Sequence, residues 1–189
     1  GRKEDMPLLK EYVGNRHIAA WILTHPHVDH ISGFISEFNR NRLADFDIEK
    51  LYYNFPPYNA LKGRTDVPDA KYFDRELEDI LPEFLKIESE LSDIAHIVTQ
   101  GESMEIDECR IDFIYTYHDG LFSNLMNDAS LVFSITTPNK KVLFLGDLGP
   151  EGGDVLYEES RHLLKADIVQ MAHHGHMNVG MEVYAAIYD

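Results

Sequence analysis

The sequence predicts a mixed α/β (α+β) domain with two sheets and helices on their outer faces. Three observations lead there. Strand-like and helix-like segments alternate at both ends of the chain. Hairpin-like strands fill its middle. Three apolar runs each end abruptly in histidine or aspartate. At 189 residues the chain reads as one domain, residues 1–189, long enough to bury its own core.

The elements follow in order. MPLLKEYV (6–13) has Asp5 as N-cap and Pro7 in its first turn, and Gly14 and Asn15 end it: a short helix. HIAAWILT (17–24) is a continuous apolar run, the pattern of a strand buried on both faces. ISGFISEFNRNRL predicts a helix beginning near residue 30. IEKLYYNF (48–55) reads as a strand closed by Pro56 and Pro57, and residues 56–68 as a loop. Its aromatic neighbours Tyr52, Tyr53, Phe55 and Tyr58 read first as core packing and second as a pocket for an organic group.

From Asp69 to Asp93, Phe73, Leu77, Leu81, Phe84, Ile87 and Leu91 recur every three or four residues, predicting one long amphipathic helix bent near Pro82. IAHIVTQ (94–100) is a strand in which His96 reads as structural. SMEI, CRIDFIYTY, SLVFSITT and KKVLFLGD are strands, the last two joined by a hairpin turn at PNKK. DVLYEESRHLLK (154–165) is a helix, ADIVQMA (166–172) a last buried strand, and VGMEVYAAIYD the start of another helix.

Composition narrows the function classes. The net charge of −16, from 17 basic and 33 acidic residues, opposes nonspecific attraction to a phosphate backbone, and no basic stripe with interleaved aromatics accompanies it. No apolar run approaches the ~20 residues of a membrane span. Cys109, the single cysteine, rules out an internal disulfide and reads as a strand side chain, which favours a reducing compartment and a cytoplasmic location.

The polar clusters carry the chemistry. In THPHVDH (24–30), His25 and His27 lie two apart in an extended segment and point the same way, while Asp29 and His30 follow the turn. Imidazole and carboxylate are the usual ligands for zinc and for iron or manganese. Asp147 ends the apolar strand VLFLGD, where a carboxylate can bridge two cations. His173-His174-Gly175-His176 follows the last strand. Gly175 permits a sharp turn, and adjacent histidines in an extended segment face opposite sides, one towards metal and one towards substrate; His176 reads as an exposed turn residue.

Together these clusters resemble the metallo-beta-lactamase fold superfamily, whose most specific mark is the HxHxDH motif, here THPHVDH. THPHVDHISG, NDASLVFSI (127–135) and ADIVQMAHHG look most like the branch containing the hydrolase domain of bacterial competence DNA-uptake proteins and related zinc phosphodiesterases. The resemblance spans about residues 17–180. It implies a four-layer αββα sandwich with two divalent metal ions, zinc first and manganese or iron next. His25 and His27 would bind one ion, Asp29 and His30 the other, with Asp147 bridging and His174 completing the second site. His173 would contact substrate or donate a proton, Asp29 would also orient the nucleophile, and Asn127 or Ser130 would line the substrate site.

Two departures from the family pattern stand out. No further histidine precedes Asp147 in a glycine-rich stretch, His118 in YHDG being the nearest candidate. The residues before His25 read as a helix where the family has strands, and the chain ends inside a helix, so the expectation is a domain truncated at both ends.

The implied activity is a metal-dependent hydrolase in which the ions activate water against a phosphodiester or related ester, with a small-molecule or phosphoester substrate. The alternatives are an iron-dependent oxidoreductase or dioxygenase of the same fold, and a non-catalytic binding module. Diiron members usually place Glu where this chain has His27, which favours hydrolysis.

Overall fold

The computed structural model describes residues 1–62, 76–121 and 123–188. The part of the expected 56–68 loop beyond residue 62, and the expected helix start at Asp69, lie outside the described residues.

Helix α1 (Met6–Val13) starts at Asp5 and stops at Gly14, which has a left-handed φ of 55°. The next apolar run forms two short strands, β1 (His17–Ile18) and β2 (Trp21–Ile22). They pair in parallel with β3 (Asp47–Ile48) and β4 (Leu51–Tyr53), and β4 pairs in parallel with β5 (Ala95–Ile97). Ladder bonds from Glu49 N–H to Ile18 O and from Trp21 N–H to Lys50 O carry the pairing across the gaps. The run 17–24 is half-buried, not buried on both faces as its composition predicts. Among the described residues it has a partner strand on one edge only, and beside it lies a cavity of about 540 Å³ lined by Met6, Leu9, Ile18, Trp21, Ile22 and Phe34, among others.

Helix α2 (Val28–Asn41) makes the crossover from β2, starting two residues earlier than expected, so Asp29 and His30 stand in its first turn. A single helical turn, α3 (Tyr58–Leu61), interrupts the expected loop. Further on, a π-helical segment (Glu76–Ile80) runs into α4 (Leu81–Glu90). The change of winding falls at Pro82, whose missing N–H cannot continue the ladder.

The second sheet has the order β10-β9-β8-β7-β6. The strands β6 (Ser103–Ile106), β7 (Cys109–Tyr115), β8 (Val132–Thr136) and β9 (Lys141–Phe144) form an antiparallel meander, and β10 (Ile168–Gln170) adds in parallel to β9. Strand β10 is an edge strand: Ile168 is 54% exposed, against the expectation of a buried strand. The turn α5 (Leu125–Asp128) leads into β8, and helices α6 (Pro150–Ser160) and α7 (Met181–Tyr188) flank β10 in sequence. Helix α6 starts four residues before the expected Asp154. Its glycines Gly152 and Gly153 hide the helix signal, yet a Cβ on either would fall within 3.0 Å of a neighbouring side chain.

Packing defines four layers. Ile31, Phe34 and Phe38 of α2 and Phe84 and Ile87 of α4 cover the first sheet at Leu23, Leu51 and Tyr53. Ile22, Tyr52, Val98, Phe113, Leu131 and Phe133 fill the space between the sheets. Leu156 of α6 and Val183 and Ile187 of α7 cover the second sheet at Val132 and Leu143. The aromatics Tyr52, Tyr53, Phe55 and Tyr58 all join core clusters, as packing predicts. Among the described residues, no helix is long and apolar enough to cross a membrane.

Leu131 is fully buried between the sheets, and its N–H donates to Thr24 O at 2.9 Å. Truncating it removes side-chain contacts from the inter-sheet layer and leaves that bond. Leu131→Ala is therefore expected to cost about 2–5 kcal/mol in urea unfolding; a loss below about 1 kcal/mol would contradict this packing.

Candidate metal centre

Parallel pairing brings the carboxyl ends of β2, β4, β9 and β10 to defined edges, and the polar clusters follow β2, β9 and β10. After β2 the chain stays extended to His27 and then turns into α2. His25 is fully buried; its Nδ1 lies 3.1 Å from Thr24 Oγ1 and its Nε2 lies 3.2 Å from His27 Nδ1. After β9, Gly146 takes a left-handed φ of 57°, with its Cβ position only 2.9 Å from Ser130 Cβ, so glycine alone turns the chain here. That turn presents Asp147, which is 3% exposed.

Three imidazoles converge on one oxygen, Asp147 Oδ2: His25 Nε2 at 3.8 Å, His30 Nε2 at 3.2 Å and His174 Nε2 at 3.4 Å. Asp29 Oδ2 lies 3.7 Å from His30 Nε2 and 3.6 Å from His174 Nε2. Among the described residues, two groups therefore have ligand atoms close enough to share a cation: His25, His30 and Asp147, and Asp29, His30 and His174. His30 belongs to both, where the sequence reading assigns it to one. His27 touches His25 but falls in neither close group.

The His173–His174 segment is not extended. Both residues have left-handed backbones, φ 48° and 52°, and Gly175 follows at 84°. Two successive non-glycine residues in this region are uncommon, so the turn depends on the contacts that surround it. The turn, not strand alternation, separates the two rings. His174 faces Asp147 and Asp29, while His173 Nε2 lies 3.3 Å from Asn127 Nδ2 and its Nδ1 lies 3.1 Å from Met177 O. His176 is exposed, as expected of a turn residue.

Other expectations resolve plainly. Asn127 and Ser130 are 4% and 0% exposed, so they back the ligand loops here: Asn127 meets His173, and Ser130 Oγ accepts the Asp147 N–H at 3.0 Å. His118 stacks on Tyr115 and meets Gln100, away from both close groups. His96 pairs with Glu102 on the surface.

One contributor carries no signal in the sequence. Gln170 continues the β9–β10 pairing with its side chain: Oε1 accepts from Leu145 N–H at 3.1 Å and Gly146 N–H at 2.9 Å, and Nε2 donates to Gly146 O at 3.2 Å. The His173 N–H donates to the same carbonyl at 3.1 Å. Gln170 thus ties together the loops that carry Asp147 and His174. An isolated glutamine on a strand resembles any surface residue.

The residues fit a divalent cation. His30 Nε2 and Asp147 Oδ1 are buried without a hydrogen-bond partner, which is costly unless something else satisfies them. Burial, with His30 and His27 beside it, pushes the His25 imidazole well below its usual range, so it stays neutral with a lone pair available. Burial alone would raise the Asp147 carboxyl; the His30 and His174 imidazoles beside Oδ2 outweigh it, holding the group below the usual range. An open cavity of about 480 Å³ reaches Asp29, His30 and His174 and is bounded on its other side by Gly1, Arg2 and Asp5.

A B3 metallo-beta-lactamase with an active-site glutamic acid superposes with a TM-score of 0.59 at 17% identity, covering 97% of this chain and 72% of that one. The chain has the metallo-beta-lactamase fold. A Cronobacter sakazakii metallo-beta-lactamase with a HARLDQ motif aligns over 99% of this chain and 77% of that one, with a TM-score of 0.51 and 12% identity. The dizinc quorum-quenching lactonase AidC matches with a TM-score of 0.50 and 16% identity over 77% of this chain, which spans only 47% of AidC. The model of the metallo-beta-lactamase superfamily matches residues 1–89, which include His25 to His30 but neither Asp147 nor His173 and His174. No curated protein matches the chain.

Because folded His25 resists protonation, the unfolded chain binds a proton that the folded one refuses. Stability of the metal-free protein should therefore fall as pH drops below about 6.5, the unfolded histidine value. His17, raised by its Glu49 and Asp47 partners, acts in the opposite sense: its contribution is present below that value and fades as pH rises. The difference between wild type and His25→Gln in urea unfolding isolates the buried group. The wild type should lose more stability than the variant between pH 7.5 and 5; parallel curves would refute the assignment.

Proposed function

We infer that this chain is a metal-dependent hydrolase with a two-ion centre, acting on a phosphodiester or related ester. The observation that carries the reading is the convergence of His25, His30 and His174 on Asp147 Oδ2, each within 3.8 Å, beside buried donor atoms without partners. Asp147 is the bridging carboxylate in this reading. His25 and His27 would hold one ion, as the resemblance implies, and Asp29, His30 and His174 the other. Zinc suits the imidazole-rich set, with manganese next and iron third.

Bound cations would supply Lewis-acid activation of water and of the scissile group. The chain's own residues do the rest. Asp29, at the cavity mouth with 28% of its side chain exposed, orients the attacking water as well as holding an ion. His173, steered by Asn127 and by Met177 O, contacts the substrate or gives a proton to the leaving group. Buried Asn127 and Ser130 act on substrate through the loops that they brace, in place of the direct contact expected from sequence.

The preference for phosphodiesters, and for the branch containing the competence-associated hydrolase domains, rests on the resemblance of THPHVDHISG, NDASLVFSI and ADIVQMAHHG. The net charge of −16 argues for a small or localised anionic group over a long nucleic acid, because cations at the centre reverse the sign only there.

Metal content, measured by mass spectrometry on protein purified without added metal, is expected near two zinc or manganese per chain and lower in Asp147→Ala. Hydrolysis of bis(p-nitrophenyl) phosphate should exceed that of a lactone or a beta-lactam. The variant should lose more than about a hundredfold in rate, the scale of removing one transition-state contact. Iron as the bound metal would favour the oxidoreductase reading; full metal content in Asp147→Ala would refute the bridging role.

A further inference from the structure

One buried carboxylate beside the centre has no place in the chemistry above. Asp128 is 0% exposed and ends the turn α5 between Asn127, which meets His173, and Ser130, which holds the Asp147 N–H. Asp128 itself reaches a third segment. Its Oδ1 accepts the N–H of Gly152, the third residue of α6, at 3.0 Å. The residue preceding α6 is Gly149, which has no side chain to cap the helix, so Asp128 does this from across the fold. The Asp128 main chain is fixed as well: its carbonyl accepts from Tyr115 Oη at 2.7 Å, and its N–H donates to Asn124 O at 2.8 Å.

The surroundings are built for this contact. A Cβ at Gly149 would lie 2.6 Å from Asp128 Oδ1, and one at Gly152 would lie 2.9 Å from Asp128 O. The arrangement is costly. Oδ2 is buried without a partner, and burial pushes the carboxyl up to about 6. A residue kept for stability alone would avoid that penalty, because a hydroxyl caps a helix without burying charge.

We propose that Asp128 is a positioning residue for the metal centre: by locking the start of α6 to the 127–130 turn, it fixes Asp147, three residues ahead of α6, relative to the same turn that holds His173. One turn then grips three segments through the side chains of Asn127, Asp128 and Ser130. Asn127 holds the histidine turn, Ser130 the Asp147 backbone, and Asp128 the helix that follows.

The test compares Asp128→Ala, Asp128→Asn and Leu156→Ala, a core truncation in the same helix away from the turn. Zinc affinity is read by competition with a chromophoric chelator. The Asp147 amide and His173 ring resonances are read by ¹⁵N NMR in the metal-free protein. Asp128→Ala should bind zinc about tenfold or more weakly, on the scale of lost support for a ligand, and shift both resonances. Asp128→Asn keeps the Oδ1 acceptor and should restore both readouts. Leu156→Ala should lower stability and leave both near wild type. Should Asp128→Ala fail to fold, Gly149→Ala, whose Cβ displaces Oδ1, should reproduce its effects.

Wild-type affinity and unmoved resonances in Asp128→Ala would overturn the proposal. So would equal losses in Leu156→Ala, or no recovery in Asp128→Asn. A wild type that binds no zinc would count against the metal-centre reading, while the resonance comparison would still decide the role of Asp128.

Discussion

The arrangement depends on one buried carboxylate. Asp147 lies at the end of β9 with almost no exposed surface, and its ionised form is tolerable only because His25, His30 and His174 surround one of its oxygens. Those imidazoles come from two other places in the chain, and each must arrive at the same point. Parallel pairing meets part of that demand: β10 runs beside β9, so the Asp147 and His174 loops leave the sheet at one edge. The first sheet delivers the third arm, with Thr24 O accepting the Leu131 N–H and so fixing its strand end to the loop entering β8.

Loop conformation completes what the sheets begin. Gly146 turns where a Cβ would strike Ser130, and its carbonyl is held by both Gln170 and the His173 backbone. His173 and His174 both occupy the left-handed region, a conformation that persists only where neighbours enforce it. The enforcing contacts are those between His173 and Asn127, Met177 and Gly146. The turn is therefore held by groups behind the candidate ligands, the position from which outer partners usually orient metal ligands.

Charge is divided in the same way. The chain carries −16 overall, yet the centre is a cluster of imidazoles around two carboxylates. A negative surface around a cluster of imidazoles and carboxylates attracts cations and repels polyanions.

The sequence by itself determined most element types and marked most of the candidate ligand set. Apolar runs ending in THPHVDH, GD and HHGH are local signals, because a strand terminus and a cluster of titratable side chains are both written in consecutive residues. Helices with regular apolar spacing, such as α2 and α4, were legible for the same reason, whereas α6 was obscured by glycines that only its packing against Asp128 and Val179 explains. The tertiary structure alone decided that the first strand run is a half-buried edge, that the His173–His174 turn is left-handed, and that His30 stands between two ligand groups. It alone also revealed Gln170 and Asp128, whose side chains bind Gly146 and Gly152 across 24 residues of chain. Ligand identity follows from side-chain chemistry, which is local; ligand geometry follows from which segments meet, and no short stretch of chain contains that information.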